Sequence, residues 1–123
     1  DEMPAFLTRS CGLPLESRVD TPDEAAALVG AHRDLGLPGA IVLAQPVPEA
    51  VALDPEAMQD AIDAALEDAR IRRITGKAVT PFLLGRIREA TGGRALIANR
   101  ALIVANARLA GEVAAALAAR ADG

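Results

Sequence analysis

Residues Ile74 to Ala110 (ITGKAVTPFLLGRIREATGGRALIANRALIVANARLA) constrain the fold more than any other stretch. Thr80-Pro81 predicts a helix start, with a hydroxyl N-cap and a proline at the first helical position, where its missing N–H does no harm. Gly92-Gly93 predicts the end of that helix, because glycine takes the left-handed cap conformation without strain. From Ala95 to Ala119 only Asn99, Arg100, Asn106, Arg108 and Glu112 interrupt apolar residues and Gly111. A helix apolar almost all round is expected to be buried on several sides. Asn99 and Asn106 lie about two turns apart at roughly 3.6 residues per turn, so they share a face. Buried amides need hydrogen-bond partners, and those partners are either protein groups or a ligand.

The rest of the chain bounds what such a helix can serve. With 51% hydrophobic but only 2% aromatic residues, core volume must come from Leu, Ile and Val. A net charge of −4 without any Lys/Arg block argues against nucleic acid and anionic membranes as partners. Arg100 and Arg108 interrupt the longest apolar run, so no membrane span is expected. The single cysteine, Cys11, excludes an internal disulfide framework and suits a reducing, cytoplasmic compartment. The chain begins at Asp1 without a methionine, which fits a trimmed product, an engineered piece or a portion of a longer protein.

Taken in order, Pro4–Arg9 reads as a short strand with a turn at Ser10-Cys11-Gly12. Thr21-Pro22-Asp23-Glu24 forms a capping box for a helix running to about Leu35 and ending at Gly36. Gly39–Ala44 (GAIVLA), bounded by Pro38 and Pro46, has the length and branching of a buried strand of a parallel sheet. Gln45 to Asp54 is then a loop beyond that strand's carboxyl end, where open α/β sheets bind ligands. Asp54-Pro55-Glu56 starts another helix with Met58, Ile62, Ala65, Leu66 and Ala69 as its apolar stripe. Arg70, Arg72 and Arg73 complement its C-terminal dipole. The expected class is α/β: a partial α/β/α layer with few strands, about four helices and a long Ala-rich C-terminal helix, all within one unit over 1–123.

Several residues could carry chemistry. Lys77, the lone lysine, lacks the Walker A pattern, since Ile71 and Ala78 stand where glycine and a hydroxyl belong. It is either a loop cation beside a helix start or a solvated side chain. Thr80 offers a hydroxyl beside free backbone N–H groups, which suits an anion and equally suits an ordinary cap. Thr8 and Arg9 could hold phosphate, arginine through its planar donor fork, or Arg9 could form a salt bridge. The acids Asp60, Asp63, Glu67 and Asp68 spread along a solvated helix face. His32 and Cys11 cannot build a zinc site between them.

Asp1–Phe6, Thr8-Arg9-Ser10, Arg18–Pro22, Pro46–Glu49, Ile74–Leu84, Ala98-Asn99 and Asn106–Ala110 form an ordered set of pieces. Together they resemble the C-terminal part of the pseudouridine-5′-phosphate glycosidase family, the indigoidine-synthase-A-like proteins. The resemblance implies reversible cleavage of the C–C glycosidic bond of a small phosphosugar nucleotide, giving uracil and ribose 5-phosphate through a lysine imine. It also implies manganese and a homotrimer. The family's lysine, acidic proton donor and manganese-holding aspartate all fall in a segment upstream of Asp1. The missing N-terminal portion is therefore the first expected partner. Asn99 matches the family's active-site asparagine and is the expected catalytic residue; Asn106, Thr80, Thr8 and Arg9 are the expected substrate-binding residues. Departures occur at Val104-Ala105-Asn106-Ala107, where the family commonly has K-N-N-A, and at Gln45, where it often has asparagine. The rival expectation is a non-catalytic interaction or oligomerisation module whose apolar seam binds the complementary half or copies of itself.

Overall fold

The computed structural model describes residues 2–121, and Asp1 of the DEMPAF run lies outside them. Among the described residues the ordered elements are helices α1 (Pro22–Asp34), α2 (Pro55–Ile71), α3 (Val79–Ala90) and α4 (Arg94–Ala121), with single 3₁₀ turns at Glu49–Val51 and Gly76–Ala78. The helix count matches expectation. The strands do not.

Neither Pro4–Arg9 nor Gly39–Ala44 forms a strand, and the only β pairing among the described residues is an isolated antiparallel bridge between Glu2 and Pro14. A strand needs a neighbour to satisfy its N–H and C=O groups, and GAIVLA meets none here. It forms no regular element and is largely exposed, Val42 at 86%, instead of buried. Pro4–Arg9 makes a single backbone–backbone hydrogen bond among the described residues, Leu53 N–H donating to Leu7 O at 2.9 Å.

Local chemistry explains the helix ends. Thr21 Oγ1 accepts from Glu24 N–H, and the Glu24 carboxylate accepts from Thr21 N–H, both at 3.2 Å, which completes the capping box. Asp54 Oδ1 caps α2 by accepting from Ala57 N–H at 2.9 Å. Leu66, expected in the buried stripe of α2, is instead 46% exposed. Arg73 ends that helix with φ +55°, a left-handed conformation that costs a side-chain-bearing residue about 1 kcal/mol. The expected Thr80 cap is corrected. The 3₁₀ turn at Gly76–Ala78 feeds directly into α3, so helix begins before Thr80 and Ala78 occupies the cap position. Pro81 remains harmless because the first-turn N–H groups have no partner within the helix.

Two helix pairs make the body. α2 packs on α3 and α1 packs on α4. Between α2 and α3, Asp68 Oδ1 meets Arg72 Nε at 2.7 Å and its Oδ2 meets Arg86 Nε at 2.9 Å. Oδ2 has no aligned hydrogen bond, so the second contact is ionic rather than a shared proton. The Arg72 guanidinium also sits 5.7 Å from the centre of the Phe82 ring. Thr91 joins α3 to α4: its hydroxyl donates to Ile87 O at 2.8 Å and accepts from Ala95 N–H at 3.2 Å. Gly92 and Gly93, at φ +58° and +84°, make the turn between the helices.

The core joins Leu7, Val47, Leu53, Met58 and Ile87 to Ala95, Ala98 and Leu102 of α4. At roughly 100° per residue, Ala95, Ala98, Leu102 and Val113 fall on one stripe of α4, and Asn99 and Asn106 lie along the same stripe. Much of the rest of the helix is exposed, against the expectation of burial on several sides. By length and composition Arg94–Arg120 could cross a membrane, and only 6% of its most apolar stretch is buried.

Candidate functional site

The loop after GAIVLA crosses α4 at one point, where Gln45 Nε2 donates to Asn106 Oδ1 at 2.8 Å. This bond stands at the edge of a cleft of about 620 Å³ bounded by the N-terminal segment, the start of α1, residues 41–46 and the middle of α4. Its polar lining includes Arg9, Arg18, Asp20, Gln45 and Glu112, so both charge signs face it.

Each of these side chains is held by an identifiable partner. Arg9 Nη1 donates to Val47 O at 2.9 Å, which ties the N-terminal segment to the buried start of the 47–53 loop. A guanidinium has five donors, so most of this fork remains available to the cleft. Arg18 Nε donates to Asp20 Oδ1 at 2.6 Å, joining the two groups just before the α1 cap. Glu112 accepts from Arg108 Nε at 2.8 Å, and that hydrogen bond together with the carboxylate charge holds the Arg108 guanidinium above its ordinary pKa. Ser10 Oγ bonds the Glu2 carboxylate at the N-terminal end.

The five expected site residues are not all brought together. Arg9 lines the cleft, and Asn106 reaches its edge through Gln45. Thr8 is buried at 7% exposure with its hydroxyl donated to Ser10 O at 3.2 Å, one residue from the cleft lining but outside it. Thr80 is exposed near the start of α3, in the other helix pair, and is not in the cleft. Asn99 lies about 10 Å along the helix axis from Asn106 at ~1.5 Å per residue. It is half-buried, and its amide makes no hydrogen bond among the described residues.

Leu109 and Glu112 line the cleft but are not among the site residues expected from the sequence. Helical arithmetic places both within two turns of Asn106, and that was the available signal. No three His, Cys, Asp or Glu side chains converge on a possible metal site among the described residues. The described residues therefore supply no manganese ligand set of their own.

A family model described as "Indigoidine synthase A like protein" matches residues 1–116. The chain is 45% identical over 117 residues to a pseudouridine-5′-phosphate glycosidase of Symbiobacterium thermophilum, covering 95% of this chain and 38% of that protein. Against the corresponding glycosidase of Gemmatimonas aurantiaca it is 47% identical, covering 95% and 38%. The fold is similar to that of the prealnumycin C-glycosynthase AlnA, solved in complex with ribulose 5-phosphate. The TM-score is 0.88 at 35% identity, over 100% of this chain and 41% of that one. The chain thus spans well under half the length of the curated relatives it matches.

Proposed function

The chain belongs to the indigoidine synthase A-like family, and on that premise we propose that it forms the C-terminal portion of a pseudouridine-5′-phosphate glycosidase-like enzyme. The reaction is reversible C–C cleavage of pseudouridine 5′-phosphate to uracil and ribose 5-phosphate. A C-glycoside has no oxygen leaving group to protonate, so covalent imine chemistry on a lysine replaces the usual two-carboxylate route. That lysine, its proton donor and any manganese ligand belong to the upstream portion of the enzyme.

The observation that carries this reading is the Asn99 amide. Asn99 makes no hydrogen bond within the described residues, so its solvent-accessible amide is free to take a ligand, and it stands where the resemblance puts the family's active-site asparagine. Its role is to hydrogen-bond the sugar. Arg9 offers the phosphate a charged donor fork at the cleft, and Gln45 with Asn106 fixes the neighbouring wall. Thr8 positions Arg9 through the Ser10 turn. Thr80 joins the site only through a contact supplied by the completed enzyme.

In that enzyme GAIVLA and Pro4–Arg9 become strands of an α/β/α layer once neighbours arrive, and residues 1–123 are part of one domain rather than a domain alone. The assembly is a cytoplasmic homotrimer. The rival reading, a non-catalytic interaction module, draws on the same exposed apolar residues. Uracil release separates them. The chain is assayed alone and together with the upstream portion of a relative, in manganese buffer. Turnover confined to the combined sample supports the enzyme reading, and turnover in neither overturns it.

A further inference from the structure

On the outward side of α4, Arg100 stands at the centre of four large apolar side chains. Leu96, Ile97, Ile103 and Val104 lie at its i−4, i−3, i+3 and i+4 positions and are 48%, 59%, 59% and 68% exposed. These four positions are its neighbours on the helix surface. Arg70, Arg72, Arg86 and Arg108 each meet a carboxylate on their own helix. Arg100 has no acid within a turn on either side and forms no ion pair among the described residues. The face points away from the buried stripe of Ala95, Ala98, Leu102 and Val113.

An arginine inside an apolar ring has the composition of an interface centre, where arginine is enriched and other charges are scarce. We propose that this face docks against the upstream portion of the same enzyme, and that the docking surface presents a carboxylate or carbonyl acceptor to Arg100. The proposal rests on the reading of this chain as a C-terminal portion. The relatives extend far beyond the matched region, and AlnA keeps this arrangement of helices within a chain of which these residues cover only 41%. A two-fold contact between copies, centred on this face, would set two guanidinium groups against each other. A bilayer would have to take Arg100 into its hydrocarbon. Covering the guanidinium without an acceptor is costly, so an acceptor belongs to the proposal.

The test uses a hybrid in which this chain replaces the matching portion of the Symbiobacterium thermophilum glycosidase. Val104→Cys in a Cys11→Ser background is labelled with a maleimide and read by peptide mass, with Asp60→Cys as an exposed control. We expect labelling at position 104 to be at least tenfold slower in the hybrid than in the 123-residue chain, with position 60 unchanged. Arg100→Glu should abolish most of that protection, whereas Arg100→Lys should keep it. Equal reactivity at 104 in both proteins overturns the proposal. So does protection of the chain alone that grows with its concentration, which assigns the face to a second copy. A hybrid that releases uracil while position 104 stays reactive sinks the docking face and leaves the functional reading standing. A folded, protected but inactive hybrid does the reverse. If the hybrid is insoluble, the two portions are co-expressed as separate chains, and failure of tagged upstream portion to retain this chain overturns the proposal.

Discussion

Gln45 and Asn106, 61 positions apart, share a side-chain hydrogen bond of 2.8 Å that fastens the loop after GAIVLA to the middle of α4. The bond is exposed, so its net worth is about 0.5–1 kcal/mol. A double-mutant cycle of Gln45→Ala and Asn106→Ala, followed by urea unfolding of the chain, should give a coupling energy of that size. Strict additivity would mean that the pair does not hold the loop.

Asn99→Ala should leave the stability of the 123-residue chain within about 0.5 kcal/mol, since its amide has no partner to lose. In the assembled enzyme the same change should lower kcat/KM for uracil release roughly tenfold to a hundredfold. Unchanged turnover and substrate affinity would remove Asn99 from the site.

Val42→Pro tests whether GAIVLA awaits a neighbour. The chain alone should tolerate it within about 0.5 kcal/mol, because residues 39–44 make no backbone hydrogen bonds among the described residues. In the hybrid it should remove a ladder bond and lower the melting temperature by several degrees. An indifferent hybrid would show that the segment never pairs.

The helix starts were legible because their chemistry is local. Thr21 with Glu24 and Asp54 with Pro55 specify caps through atoms a few positions apart. Thr80 was misplaced because Gly76–Ala78 forms a 3₁₀ turn, whose weak sequence signal let a strong hydroxyl-proline pair claim the start. GAIVLA reads as buried by its composition, but burial depends on what lies alongside, and the described residues contain no partner strand. Of the site, the register of Asn99 with Asn106 followed from helical periodicity alone. The Arg9 contact with Val47 O could not be foreseen, since nothing local links the two residues.

Asp68→Ala should cost about 1–3 kcal/mol in thermal unfolding, since it leaves Arg72 and Arg86 without their shared carboxylate at the α2–α3 contact. Both arginines are about half-exposed, which favours the lower part of that range. A loss below about 0.3 kcal/mol would show that packing around Phe82 alone holds the pair.

Arg73→Gly should stabilise the chain by up to about 1 kcal/mol, because glycine adopts φ +55° without the clash an arginine side chain meets. A destabilised variant would mean that the larger freedom of the unfolded glycine chain outweighs the relief.

Residues 41–46 form part of the cleft wall, and the backbone at 41–44 has its amides still unclaimed. Whatever strand claims them also sets the shape of the pocket. On the proposed reading, completion of the fold and competence to hold a sugar become a single event, and a half-synthesised or wrongly matched enzyme would stay silent instead of reacting out of turn.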